Sequence, residues 1–175
     1  MHSNINVIRK LIMSNVVINS KSKGGYTPLY FAAQNCSKEC CKILIENGAS
    51  VLESNDDAVT PLLAALDVEN NSESLESIEE TSQYLIENKS EVNHADIFGN
   101  TPILLASQNG FFNIVDLLIK KGANVNFRSN NFLRPIHMAL HNEHYKIAKL
   151  LMENGADPLV EDENGLTTLH IAASG

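Results

Sequence analysis

The residues in this chain whose types could do chemistry fall in two places. The stretch Cys36-Ser-Lys-Glu-Cys40-Cys41 sets three thiols close together, and His137 and His141 lie four apart, a spacing that can turn two imidazoles toward one ion on a helix. A structural zinc site needs four ligands in a tetrahedron, and there is no second cysteine pair to complete one. The histidine pair lacks the glutamate of a His-Glu-x-x-His metalloprotease helix. No glycine-rich phosphate loop follows a strand-like run, and no Ser, His and Asp set shows converging spacing. Catalysis, a cofactor and a metal site therefore have no sequence support, and the thiols read as buried and inert. An odd number of cysteines fits a reducing compartment better than a disulfide framework.

Charge narrows the partners. The formal net charge is −8, which argues against a nucleic-acid binder, since phosphate affinity comes from clustered Lys and Arg. The charge is segregated: residues 1–50 carry six basic and two acidic groups, 51–100 one and twelve, 101–150 six and two, and 151–175 five acids alone. No apolar run approaches the roughly 18 residues that span a bilayer, and the start lacks a signal-peptide layout. The expectation is a cytoplasmic protein without membrane insertion, in the host-cell cytosol if it is a secreted effector.

The elements that position these residues repeat. Thr-Pro pairs stand at Thr27-Pro28, Thr60-Pro61 and Thr101-Pro102, weaken to Arg134-Pro135 and Thr167-Thr168, and are spaced by 33, 41, 33 and 33 residues. In the same phase run "ENGAS" from Glu46, "ENKSEVN" from Glu87, "KKGANVN" from Lys120 and "ENGADPL" from Glu153. Thr is a good N-cap and Pro suits the first helical position, so a helix starts at each pair. A second helix follows with a period near 3.6, as in Ile114, Val115, Leu117 and Leu118, and stops at Gly122. The Asn-rich remainder suits a hairpin-like connector. Helix pairs this short bury too little alone and must stack on copies of themselves.

The period of 33, the Thr-Pro-Leu start and the Gly-Ala-x-Val-Asn end resemble the ankyrin repeat. That resemblance implies an all-α solenoid of stacked helix-turn-helix units and a single domain over 1–175. It divides into an N-terminal half repeat (1–22), four repeats (23–55, 56–95, 96–128 and 129–161) and a C-terminal half repeat (162–175). Ala58 and Phe132 stand where the family usually has Gly, Arg134 replaces the capping Thr, and Lys89 takes the C′ place, so repeats two and four should be less regular. The family's histidine slot holds Tyr30, Leu63, Leu104, His137 and His170, which leaves its inter-repeat bonds to the C-terminal end. In the same register Cys40 and Cys41 point into the core and Cys36 replaces a turn Gly. The last helix keeps the buried-type residues Leu169, Ile171 and Ala172, which suggests a fragment of a longer protein.

Repeat two gains eight residues within "LDVENNSESLESIEETSQ", where Asp67, Glu69, Glu73, Glu76, Glu79 and Glu80 fall between the two helices. The plain reading is a solvated, partly helical excursion, and the alternative is a recognition feature for a basic partner. The resemblance implies that a protein or peptide binds a concave face formed by hairpin tips and first helices. Carried onto this chain, a row before each Thr-Pro slot comprises Tyr26, Val59, Asn100, Leu133 and Leu166. Around it lie Lys23, Asp56, Asp57, Ile97, Phe98, Asn130, Asn131, Glu163 and Asn164, and on the first helices Gln34, Asn35, Asp67, Gln108, Asn109, His141 and Asn142. The competing reading of the row is packing between neighbouring hairpins. Asn19, Asn93 and Asn126 match a connector asparagine open to hydroxylation in such proteins, against local hydrogen bonding in the turn. The expected state is a monomer, with head-to-tail stacking of the ends as the alternative. The reading is a non-catalytic interaction scaffold or a regulatory or targeting segment of a multidomain enzyme, channel or secreted bacterial effector.

Overall fold

The computed structural model describes residues 2–14, 16–67, 74–162 and 164–174, with backbone alone at 2–4 and 174. The architecture is all-α: among the described residues there are ten helices and, outside them, one isolated bridge between Glu161 and Thr167. In chain order they are α1 (His2–Met13), α2 (Pro28–Gln34), α3 (Lys38–Glu46), α4 (Pro61–Leu66) and α5 (Leu75–Glu87). They continue with α6 (Pro102–Gln108), α7 (Phe112–Lys120), α8 (Pro135–His141), α9 (Tyr145–Glu153) and α10 (Thr168–Ser174). The chain forms two compact units, Met1–Glu91 and Val92–Gly175.

Each unit is two layers of helices. In the first, α2 lies on α4 and each packs on its own second helix, α3 or α5, while α1, α3 and α5 line up behind. In the second, α6, α8 and α10 form one layer and α7 and α9 the other. The faces between layers carry the core. Leu29, Leu62, Ile103 and Ile136, one per repeat in the same phase, are each no more than 1% exposed. Full burial of such a side chain is worth about 1.5–3 kcal/mol. Of the last helix's buried-type residues only Ile171 is covered, whereas Leu169 is 77% exposed and Ala172 is open to solvent.

Capping follows the residue at each start. The hydroxyls of Thr27 and Thr60 accept from the backbone N–H of Tyr30 (3.2 Å) and Leu63 (3.3 Å). At Thr101 the backbone is extended in the same way, but the buried hydroxyl makes no bond among the described residues. Where Arg134 takes the place of Thr, the ring of His137 does the work, its Nδ1 accepting from the Arg134 N–H at 3.4 Å. The guanidinium donates instead to the carbonyl of Asn126 at 2.6 Å.

The slot of the second helices that faces the core is filled by Cys40 and Cys41, then Thr81 and Ser82, then Ile114 and Val115, then Ile147 and Ala148, all buried. Burial raises the Cys41 thiol to about 12, so it stays protonated and unreactive at neutral pH. Cys36 takes the turn with φ +43 and is also buried.

The insertion is partly an element of its own. With 13 residues against 9 in α3, α7 and α9, α5 gains a turn at its start, capped by Ser74 and fastened by Ile78, which is buried. Glu76, Glu79 and Glu80 ride on that helix, and Glu80 pairs with Lys38 at 3.5 Å. Glu69 and Glu73 lie outside the described residues.

The hydroxyls of Thr81 and Ser82 are buried without a partner among the described residues. A desolvated hydroxyl left unpaired costs about 1–3 kcal/mol, and Val is nearly the same shape as Thr. Thr81→Val is therefore expected to raise the urea-unfolding free energy by about 1 kcal/mol; a loss of that size would mean the hydroxyl is bonded in solution.

Candidate functional site

The predicted binding residues gather at five hairpin tips that share one backbone shape. In each, the first residue's N–H donates to the carbonyl of the fifth, at 2.9–3.1 Å: Ser22 to Tyr26, Asn55 to Val59, Asp96 to Asn100, Ser129 to Leu133 and Asp162 to Leu166. The choice of first residue has a physical reason. Asn55, Asp96 and Asp162 each accept with Oδ1 from the N–H groups two and four residues on, and Ser129 accepts with Oγ from Leu133. The fourth residue turns left-handed: Gly25 (φ +80), Ala58 (+59), Gly99 (+83), Phe132 (+63) and Gly165 (+73). Only glycine takes that region freely, and a side chain there costs about 1–2 kcal/mol.

Tips within a unit touch. The N–H of Asp56 donates to Gly24 O at 3.1 Å in the first unit. In the second, the N–H of Asn130 donates to Phe98 O at 3.4 Å and its amide Nδ2 to Ile97 O at 3.0 Å. A Cβ at Gly99 would sit 2.8 Å from the Asn130 nitrogen, so this glycine is required by close approach as well as by φ.

The row predicted to face a partner is not open along its length. Tyr26, Val59, Asn100 and Leu133 are half-buried and Leu166 is exposed. Tyr26 meets the Tyr30 ring edge-on at 4.8 Å and the Phe31 ring at 5.6 Å, so this member of the row packs within the chain. Asn100 donates its amide to Asp96 Oδ2 at 2.9 Å. Lys23, Asp56, Asp57, Ile97, Phe98, Asn130 and Asn131 are exposed, with Ile97 at 52% and Phe98 at 61%. On the first helices Gln108 and Asn109 are half-buried, His141 and Asn142 exposed. Asn142 turns its amide back to Met138 O at 2.9 Å. Glu163 lies outside the described residues. A groove of about 840 Å³ in the first unit, lined by Ile5, Ile8, Phe31 and Cys40 among others, includes Asn35 from the predicted set.

The connector asparagines act over a longer range than local turn bonding. Asn93 donates Nδ2 to Gly122 O at 3.0 Å and accepts with Oδ1 from the Asn124 N–H at 2.8 Å. Asn126 does the same to Gly155 O (2.8 Å) and the Asp157 N–H (3.0 Å), and Asn19 to Gly48 O (3.0 Å) and the Ser50 N–H (2.9 Å). Each amide clips one repeat to the next. The partners lie 29 and 31 residues away, which corrects the expectation of a bond within the turn.

Three histidines and an aspartate tie the last repeats together. His137 is buried, and since its Nδ1 accepts from Arg134, its Nε2 carries the proton and donates to Val160 O at 3.4 Å. Burial holds the His137 pKa below the ordinary 6.5, against the pull of the Val160 carbonyl and Asp162. The Asp162 carboxyl sits below its ordinary value because it accepts from the Leu166 N–H. His141 Nε2 lies 3.8 Å from Asp162 Oδ2. His144, which the sequence did not single out, donates Nε2–H to Gln108 O at 3.1 Å across two repeats, and a Cβ at Gly110 would strike its ring at 2.6 Å. Gly110 takes φ +79 in that turn and leaves the room the ring occupies.

Comparison with known proteins places this arrangement. The family model for ankyrin repeats, three copies long, matches residues 1–78 and 73–162. Similar proteins include the human transient receptor potential cation channel subfamily A member 1, 28% identical over 148 residues, 66% of this chain and 13% of the relative. Ankyrin repeat domain-containing protein 53 of Mus musculus is 32% identical over 96 residues, 54% of this chain and 18% of the relative. Ankyrin repeat, SAM and basic leucine zipper domain-containing protein 1 of Dasypus novemcinctus is 28% identical over 119 residues, 68% of this chain and 24% of the relative. The chain thus spans less than a quarter of the length of these relatives.

Two outcomes follow from the geometry. Ala58→Gly relieves a left-handed alanine and is expected to raise stability by about 0.5–1 kcal/mol, read from the urea midpoint; a fall would mean that the tip is not left-handed in solution. For His137 the folded pKa lies below the unfolded 6.5, so as pH drops below that value the unfolded chain binds a proton that the folded one refuses. Stability should fall from about pH 6.5 downward and level off below the folded pKa, and His137→Gln should flatten that part of the profile. An unchanged slope in the variant would place the acid sensitivity elsewhere.

Proposed function

Since the chain belongs to the ankyrin repeat family, we propose that it is a non-catalytic scaffold that binds a protein or peptide on the concave face the family forms from hairpin tips and first helices. Ankyrin repeats are in general protein-interaction modules, and repeat arrays host many unrelated partners on one fold. The observation that carries the reading is the exposed apolar set at the tips, Ile97, Phe98 and Leu166, whose side chains the fold leaves uncovered. Residues 1–175 are read as one array, because the repeat phase continues from Thr60 to Thr101 through the inserted segment. No helix among the described residues is long and apolar enough to cross a membrane, and the module is read as cytoplasmic and monomeric.

A second reading is favoured by the lengths: the chain matches 13% of a cation channel subunit and 18% and 24% of two other proteins. On that reading it is the regulatory or targeting ankyrin segment of a larger protein, and the same face does the binding.

The test separates packing from recognition. Tyr26→Ser should lower stability, because its ring lies against Tyr30 and Phe31. Ile97→Ser with Leu166→Ser should leave stability within about 0.5 kcal/mol yet reduce the proteins captured from a native lysate, quantified by mass spectrometry. Capture indifferent to the Ile97 and Leu166 changes, in protein shown to be folded, would contradict the reading.

A further inference from the structure

Of the five left-handed tip positions, four hold glycine or alanine and the fifth holds Phe132, at φ +63 and 45% exposed. A bulky side chain in that region is strained, and the fold recovers little for it. The residue stays nearly half exposed. Its named contact is the Arg128 guanidinium, 4.2 Å above the ring centroid, a weak attraction at an exposed site. Beside it stands the neighbouring tip, joined through Asn130 to the carbonyls of Ile97 and Phe98, whose side chains are both more than half exposed. A backbone held in strain to display a ring, on a tip bonded to one that carries two uncovered apolar side chains, suits binding better than folding.

The chemistry of the occupant follows from Arg128. A guanidinium carries five N–H donors in a fixed fork, and those not turned to the ring can pair two at a time with a carboxylate. Among the described residues Arg128 has no carboxylate partner. Resting on the protein-binding reading above, we infer that Phe132, Arg128, Ile97 and Phe98 form a docking point for a peptide segment of a partner protein that sets an apolar side chain beside a carboxylate. The apolar side chain lies against Phe132 and the Ile97–Phe98 tip, and the carboxylate pairs with the edge of Arg128. A basic segment is disfavoured by the same cation.

The experiment is selection of a displayed library of random short peptides on the full chain, followed by affinity measurement with the synthetic winners. The expected winners carry Phe, Leu or Trp next to Asp or Glu. Phe132→Gly should weaken them about tenfold or more while the melting temperature holds or rises, a pairing that a structural role for the ring could not give. Arg128→Glu should weaken the acidic winners by a similar factor and improve the same peptides remade with Lys for each carboxylate. Winners rich in Lys or Arg, winners indifferent to both substitutions, or a selection that enriches nothing would each overturn the inference. Winners lost on Ile97→Ser with Leu166→Ser but not on Phe132→Gly or Arg128→Glu would overturn it and leave the wider binding reading standing.

Discussion

A pair of helices seven and nine residues long has an apolar face that it cannot cover alone, and everything else in this chain answers that constraint. Leu29, Leu62, Ile103 and Ile136 are buried on first helices that each pack both on their own second helix and on a neighbouring first helix. Leu169, in the same phase of α10, is uncovered although α10 packs on α8. The polar apparatus serves alignment. Hairpin tips that hand a backbone N–H to the carbonyl of the preceding tip, and asparagines that clip a connector to the following one, hold repeats in the register at which their apolar faces meet.

Asparagine illustrates how composition becomes structure here. The chain has 21 of them, a number that by itself carries little information. In the fold they divide by job. Asn35, Asn47, Asn88, Asn142 and Asn154 sit just past helix ends and donate to the carbonyl four residues back at 2.8–2.9 Å; at Asn35, Asn88, Asn142 and Asn154 the backbone N–H of the same residue bonds that carbonyl too, so the side chain adds a second donor there. Asn19, Asn93 and Asn126 join repeats. Asn55 and Asn130 shape or link the tips.

The helix starts were legible because their cause is local: Thr-Pro offers a capping oxygen and a residue with no donor to satisfy, and α2, α4 and α6 begin there. Placing the cysteines in the core needed only the repeat phase. Legibility ended where the partner is distant in sequence or the backbone decides. The clip made by Asn126 is set by a carbonyl 29 residues on, which no window around the asparagine contains. Glu143 turns left-handed at φ +59 in the slot held by Cys36 and Gly110 in earlier repeats, a place where its type gives no warning. The inserted acids read as a solvated, partly helical excursion, and one added turn of α5 forms because Ile78 has a core to enter. At the candidate site the row before the Thr-Pro slots was legible as a position, but its exposure was not, since Tyr26 finds rings of its own chain.

Stability that comes from neighbours also explains how recognition can vary so freely. The exposed side chains of Ile97 and Phe98 are not held by the turn, whereas the first residue of each tip bonds the fifth and the fourth takes the left-handed backbone that closes it. The claim beneath all of this is that one repeat is stable through the next. Amide hydrogen exchange of Ile136→Ala tests it most directly, because Ile136 is fully buried on α8, between α6 and α10. The account predicts faster exchange in α6 and α7 as well as in α8 and α9. Deprotection confined to α8 and α9, with the preceding pair unchanged, would contradict it.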